Sequence, residues 1–434
     1  MNRILAQLER LLWYALLATL GWQTRLILWQ ADRVFVEWRS ASLWLTDVGV
    51  LALIALALAR GWRPRIQGRD RWLVVFFALA ALSLTQALAP AVGLIALARL
   101  AECILLYLCV RQWVVPHHNA DHAALAFVAG SVGEAVLAVW QSVIQHDMGL
   151  RWLGETLLEP TMRGVAVFIA DHGDRILRAY GTLPHPNVLA VQLALALWVL
   201  WWLYLRHATR RVHDFIWAVA GALMLWGLYV TYSRTVIALW LAATVAFAVV
   251  LFRHPAVRSW PNVGVVRERT RRALAVIALV TVVFGVTQWQ RVGARAIIHA
   301  SDEAVQYRLD FARDSLGSGG GRFLHINWLG VGLGNFTTWL AHTQPWLPDY
   351  QVQPAHNIFL MAYAETGVLG LGVWLWWLWS TAVAAWHRHE RQPILRLAVA
   401  VVIGTLILVG MFDHLFWTLQ QGRLLWWISL AVLA

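Results

Sequence analysis

Four side chains from separate stretches could do chemistry together: Arg178 in RAYGTLPHPN, Arg234 in YSRT, Arg308 in QYRLDF and His356 in QPAHNIF. A guanidinium is planar, stays charged at any working pH and offers a fork of donors to phosphate oxygens. Three of them near one membrane surface suit a diphosphate. His356 lies where a long loop becomes a helix. The helix dipole there favours a neutral ring able to accept a proton, and a bound diphosphate pushes the other way. One base and several arginines, with neither a metal cluster nor a carboxylate pair, fit sugar transfer from a polyprenyl diphosphate. The leaving group is already a stabilised anion, so no general acid is required, unlike glycoside hydrolysis. The arginines would absorb the charge developing on the diphosphate, and the histidine would take the proton of the attacking hydroxyl. No metal and no cofactor are called for.

Each of these residues also has a plainer reading. Arg234 sits in a short turn close to hydrocarbon and could snorkel to headgroups. Arg178 and Arg308 could be solvated loop arginines, Arg308 pairing with Asp310 or Asp314, and His356 could simply cap a helix. DHGD (171–174) offers Asp171, His172 and Asp174 as ligands, but among turn formers. GVGLGNF (330–336) has some of the glycines of a dinucleotide loop, without the preceding strand or the spacing. Inside the apolar segments, Arg99 and Glu102 are three apart and should neutralise each other. Glu134 and Glu365 have no evident local partner. They open a second reading, a transporter or flippase whose pathway uses Glu134, Glu365 and Arg99.

The elements that must position these residues are membrane helices. Hydrophobic residues make up 60% of the 434 and charged ones only 13%, with mean hydropathy +0.59, which excludes an ordinary soluble enzyme. Hydropathy places about twelve spans, near 10–28, 42–60, 71–90, 92–114, 121–144, 187–205, 213–232, 235–252, 273–290, 357–386, 394–412 and 422–434. All 35 basic residues are arginine, and they concentrate in the connections at 60–71, 206–211, 253–272 and 387–396. Those alternate loops fall on one side, which the positive-inside rule makes cytoplasmic, together with both termini. The net charge of +12 is therefore a topology signal rather than a nucleic-acid signal. Many of the 29 tryptophans lie near span ends, as interfacial belts or as core packing. The long connections 145–186 and 290–356 share the opposite, periplasmic side, and SDEAVQYRLDFARDSL (301–316) has the spacing of an interfacial helix. The chain thus divides into 1–289 with nine spans, a loop subdomain 290–356, and 357–434 with three spans. Cys103 and Cys109 share one apolar segment and face different sides of it, so no disulfide framework follows.

His356-Asn357, nine residues, then Gly367-Val368-Leu369-Gly370 resembles the C-terminal signature of the bacterial O-antigen ligase family, which is related to O-antigen polymerases and protein O-oligosaccharyltransferases. HINWLGVGLGNF (325–336), YSRT and RAYGTLPHPN are similar to its other ordered motifs, though Trp328 follows Asn327 where a proline is common. The resemblance implies an all-α polytopic fold like integral-membrane glycosyltransferases of the class C type, with short helices in a large periplasmic loop. It implies His356 as general base and Arg178, Arg234 and Arg308 as diphosphate ligands, with Arg313 as substitute for Arg308 and Asn357, His185, Asn187 and Tyr232 in support. The implied partners are an undecaprenyl-diphosphate-linked O-antigen donor and a lipid A-core acceptor in the bacterial inner membrane.

Overall fold

The computed structural model describes residues 2–32, 35–170, 173–207, 211–255, 257, 262–296, 303–317, 327–390 and 392–434. The fold is nearly all helical, with two small antiparallel hairpins. In chain order the elements are α1 (Asn2–Ala18), β1 (Arg25–Gln30), β2 (Ser40–Trp44), α2 (Leu45–Ala59), α3 (Asp70–Ser83) and α4 (Pro90–Cys109). A π-helical turn, Val110–Val114, carries α4 straight into α5 (Val115–His117). Then follow α6 (Ala120–Ile144), β3 (Val167–Ile169), β4 (Arg175–Leu177), α7 (Pro186–His207), α8 (Arg211–Val230), α9 (Arg234–Arg253) and α10 (Val263–Thr287). The last third contains α11 (Trp289–Ala296), α12 (Glu303–Gly317), α13 (Phe336–Thr343), α14 (Ile358–Arg388), α15 (Pro393–Phe412), α16 (Leu415–Thr418) and α17 (Gln420–Leu433).

Every hydropathy segment contains a helix, and among the described residues eight helices are long and apolar enough to cross a membrane. The helices α1, α2, α3 and α17, with 17, 15, 14 and 14 residues, are shorter. The first predicted segment, 10–28, is displaced: α1 ends at Ala18, and Arg25–Gln30 pairs as a strand with Ser40–Trp44. RLILWQ is aromatic and β-branched enough to take a partner strand, and hydropathy alone cannot tell such a run from a helix end. In the other direction, α10 starts at Val263, ten residues before the predicted 273. Its arginine-rich first turns are good helix formers, and Glu268 pairs with Arg272 at i,i+4 (3.1 Å).

Proline begins α4, α7 and α15, where a missing N–H costs nothing. Asn119 caps α6 and Asn357 caps α14, each side chain accepting from two backbone N–H groups. The apolar sequence of α7 shows no polar face, and 83% of its window is buried, which makes it the central helix. Around it pack α6, α8, α9 and α10, with α1 behind α6. A second group, α2, α3, α4, α14 and α17, is joined to the first through α15, which touches α7, α9, α14 and α17. Arg99, on α4, sits 3.7 Å from Asp47 of α2, over the Trp44 ring at 4.2 Å, and donates to the Ser42 carbonyl at 2.8 Å. The expected Arg99–Glu102 neutralisation is therefore a minor contribution beside a tie between two helices. Cys103 and Cys109 are both buried and free.

Candidate functional site

The site forms where three chain breaks meet: the 178–187 loop before α7, the turn between α8 and α9, and the break between α15 and α16. The first is held by α6. Gln141 accepts from the backbone N–H groups of Tyr180 (3.0 Å) and Gly181 (2.8 Å) and donates to the Gly181 carbonyl (2.9 Å). Two turns earlier on the same helix face, Glu134 accepts from Thr182 N–H (2.8 Å) and Thr182 Oγ1 (2.6 Å). A loop whose backbone groups are satisfied by buried side chains has little freedom to move.

Thus fixed, the loop presents Arg178, His185 and Asn187. Arg178 is only 7% exposed; its Nε donates to the Thr231 carbonyl (2.8 Å) and a terminal nitrogen donates to Asn187 Oδ1 (2.6 Å). Asn187 is the hub of the arrangement. Its Oδ1 also accepts from Ser233 Oγ (3.0 Å), and its Nδ2 donates to Asp413 Oδ2 (2.6 Å). Arg234 follows Ser233 as the first residue of α9, half-buried, and its guanidinium reaches the Arg295 carbonyl at 3.4 Å. Tyr232 takes up the turn with φ of 48° and packs its ring 4.6 Å from Phe168.

Asp413 and His414 form the break after α15. The His414 ring bonds Thr418 Oγ1 through Nδ1 (2.6 Å), and its centroid lies 5.0 Å from that of His356, edge to face. His356 is half-buried, immediately before the Asn357 cap. Asn357 also donates to the Met411 carbonyl (2.9 Å), which ties the start of α14 to the end of α15. A continuous set of contacts therefore runs from Arg178 through Asn187 and Asp413 to the His414–His356 pair.

Electrostatics follow from this packing. Burial pushes the His185 imidazole down, with help from the Arg178 charge, to about 3. The ring is neutral at physiological pH, in keeping with its Nδ1 accepting from Asn187 N–H at 3.1 Å. Burial would raise the Asp413 carboxyl, but His414, His356 and the Asn187 hydrogen bond outweigh it and hold the group at about 2. Asp413 is thus an anion beside two imidazoles, the arrangement that stabilises a proton arriving on either ring.

The 327–335 loop is locked to α14 by two glycines. Gly330 (φ 78°) and Gly367 (φ 70°) both need the left-handed region, and a Cβ on either would come within 2.2 Å of the other segment's backbone. Val331 N–H reaches the Ala364 carbonyl and Val368 N–H the Asn327 carbonyl, each at 2.8 Å. Beside this lock Glu365 accepts from Trp417 Nε1 (2.8 Å) and from the backbone N–H groups of Gly334 and Phe336. Glu134 and Glu365, the two carboxylates that suggested a transport pathway, each clamp a motif loop.

Arg308 lies on α12, and its side chain falls outside the described residues, as do Asp171, His172 and the glycine-rich stretch 318–322. Arg313 faces solvent and pairs with Asp310 at 3.5 Å, while Asp314 accepts from Gln344 at 2.9 Å. The structure thus gathers Arg178, His185, Asn187, the Ser233–Arg234 turn and His356, and leaves Arg313 on an exposed helix face. Sequence reasoning missed Asp413 and His414. The signal was available: FDHLFW is an acid–imidazole pair interrupting an apolar stretch, as His356-Asn357 does.

A bundle of membrane-crossing helices with an arginine, carboxamide, carboxylate and imidazole array assembled at its helix breaks is a multi-pass membrane protein of the transferase type. Residues 219–375 match a family model described as O-antigen ligase, and over this stretch the chain belongs to the O-antigen ligase family. The match takes in Arg234, His356, Gly367 and Gly370 and leaves Arg178, Asn187, Asp413 and His414 outside it. No curated protein matches the chain.

Proposed function

We propose that this protein is an O-antigen ligase that transfers O-antigen polysaccharide from undecaprenyl diphosphate to a sugar hydroxyl of lipid A-core, with inversion, at the periplasmic face of the inner membrane. The observation that carries the reading is the linkage of Arg178 to His356 through Asn187, Asp413 and His414. His356 takes the proton of the attacking hydroxyl, and the Asp413 anion steadies the charge that arrives on the paired imidazoles. Arg178 and Arg234, with Arg308 from α12, receive the diphosphate as negative charge develops on it. The work that a divalent ion does in other phosphate-leaving reactions falls to guanidinium groups, so the reaction runs without metal. The arginine-rich connections support an active site on the face away from the cytoplasm, with both termini cytoplasmic.

The test is reconstitution of purified protein with an undecaprenyl-diphosphate-linked donor, a chelator and three competing acceptors: lipid A-core, a second repeat unit and an acceptor protein. Product on lipid A-core supports the ligase. Product on the repeat unit or the protein reassigns the chain to polymerisation or protein glycosylation with the same donor chemistry. His356→Ala should lower transfer on the order of 10²–10⁴-fold, and undiminished turnover in that variant would refute the base assignment.

A further inference from the structure

We infer that the apolar groove between α7, α8 and α10 is a binding site for one anionic diacyl phospholipid. The groove holds about 330 Å³ and is walled by Leu200, Trp201, Trp217, Gly221, Trp240 and Ile277. That volume is at the lower end of small-molecule sites. Its mouth is polar: Arg272 bonds Asp214 (3.0 Å) and the Tyr204 hydroxyl. Tyr204 lies 18 residues along α7 from Pro186, roughly 27 Å at the helical rise. The groove is therefore a separate site at the far end of the bundle from His356.

Three observations select the occupant. An apolar cavity does not hold water well, and in helices that cross hydrocarbon the apolar molecule at hand is an acyl chain. Trp201 is buried one turn inside the mouth, and its indole N–H has no acceptor among the described residues, so the ester carbonyl of a glycerolipid would supply one. Around the mouth, Arg206, Arg267, Arg269, Arg271 and Arg272 outnumber the carboxylates Asp121, Asp214 and Glu268, five to three. That excess positive charge favours an anionic head over a zwitterionic one. Glycine at 221 keeps the wall thin; a Cβ there would make only ordinary contact with Leu200 at 3.4 Å, so a larger side chain would extend into the groove.

The experiment uses the full chain, delipidated in detergent, exposed to vesicles of phosphatidylglycerol or phosphatidylcholine, and read by native mass spectrometry for retained lipid. Wild-type protein should keep one phosphatidylglycerol per chain, Gly221→Leu should keep none, and Arg272→Gln should keep a lipid with its phosphatidylglycerol preference cut roughly fivefold. Absence of retained lipid on the wild type, or equal retention by Gly221→Leu with an unchanged melting temperature, would overturn the assignment. So would displacement of phosphatidylglycerol by equimolar undecaprenyl phosphate. If Gly221→Leu does not fold, Arg272→Gln decides: an unchanged preference sinks the proposal. None of these readouts depends on transferase activity.

Discussion

The two rims of the candidate site present arginines in opposite ways. On one rim Arg178 is 7% exposed, bound to a carbonyl and a carboxamide, on a loop that Glu134 and Gln141 hold from α6. On the other, Arg313 of α12 has a side chain 74% exposed and leans on a carboxylate three residues away. The first is preorganised: its donors are aimed before any ligand arrives, so little reorganisation is left for the reaction. The second must be recruited from water against side-chain entropy. Sequence spacing made both look like candidates for the same diphosphate, and only the burial and the acceptors separate them.

The contrast is broken or confirmed first at Arg178. Its replacement by Ala should lower the transfer rate on the order of 10²–10³-fold, and Arg178→Lys should recover little, because a point charge cannot hold the Thr231 carbonyl and Asn187 together. Initial rates at saturating donor, beside a melting curve, separate this from a folding defect. Near-normal rates in Arg178→Ala would mean that the buried rim does not carry the donor.

A second test reaches the same rim through its anion. Asp413→Asn removes the charge facing His414 and His356 and should lower turnover on the order of 10²-fold. A carboxyl held at about 2 contributes stability that is fully present above its unfolded value near 4 and is lost as pH falls through 2. The wild-type group is therefore ionised throughout the working range, and the deficit of Asp413→Asn should be flat between about pH 5 and pH 8. A deficit that vanished toward pH 5 would show that Asp413 itself titrates there, contrary to its surroundings.

The third test moves one layer back. Glu134→Leu leaves Thr182 N–H and its hydroxyl without their buried acceptor, a loss of about 1–3 kcal/mol. We expect a lower melting temperature and a donor KM that rises more than kcat falls, since the loop that aims Arg178 loosens while His356 is untouched. A transport role would predict the reverse, a stable protein whose activity follows the proton gradient.

Much of this was legible in the sequence for a definite reason. Membrane helices announce themselves because a backbone in hydrocarbon must satisfy itself, so apolar length maps directly to structure. His356, Arg234 and Arg178 stood out because they are polar at the edges of such segments. Asp413 and His414 obeyed the same rule and were passed over, since no motif spacing drew attention to them. What spacing could not reveal is partnership. Glu134 and Glu365 read as isolated acids because their partners, Thr182 and Trp417, are 48 and 52 residues away. The strand at Arg25–Gln30 was hidden for a related reason: an apolar run of six residues has no period long enough to distinguish it from a helix end.

The smallest expected effect sharpens the contrast most, because it tests the claim that exposure rather than charge separates the rims. Arg313→Ala removes a guanidinium whose only printed partner, Asp310, is itself 60% exposed, and such surface pairs contribute about 0–1 kcal/mol. Donor KM, kcat and melting temperature should all stay within about twofold or its thermal equivalent. Doubling the salt should not widen the gap, since an exposed pair is already screened over about 8–10 Å. A loss approaching that of Arg178→Ala would show that α12 closes over the donor during turnover and brings Arg313 into contact with it. The diphosphate would then be gripped from both rims, and the fixed loop would supply only half of the hold.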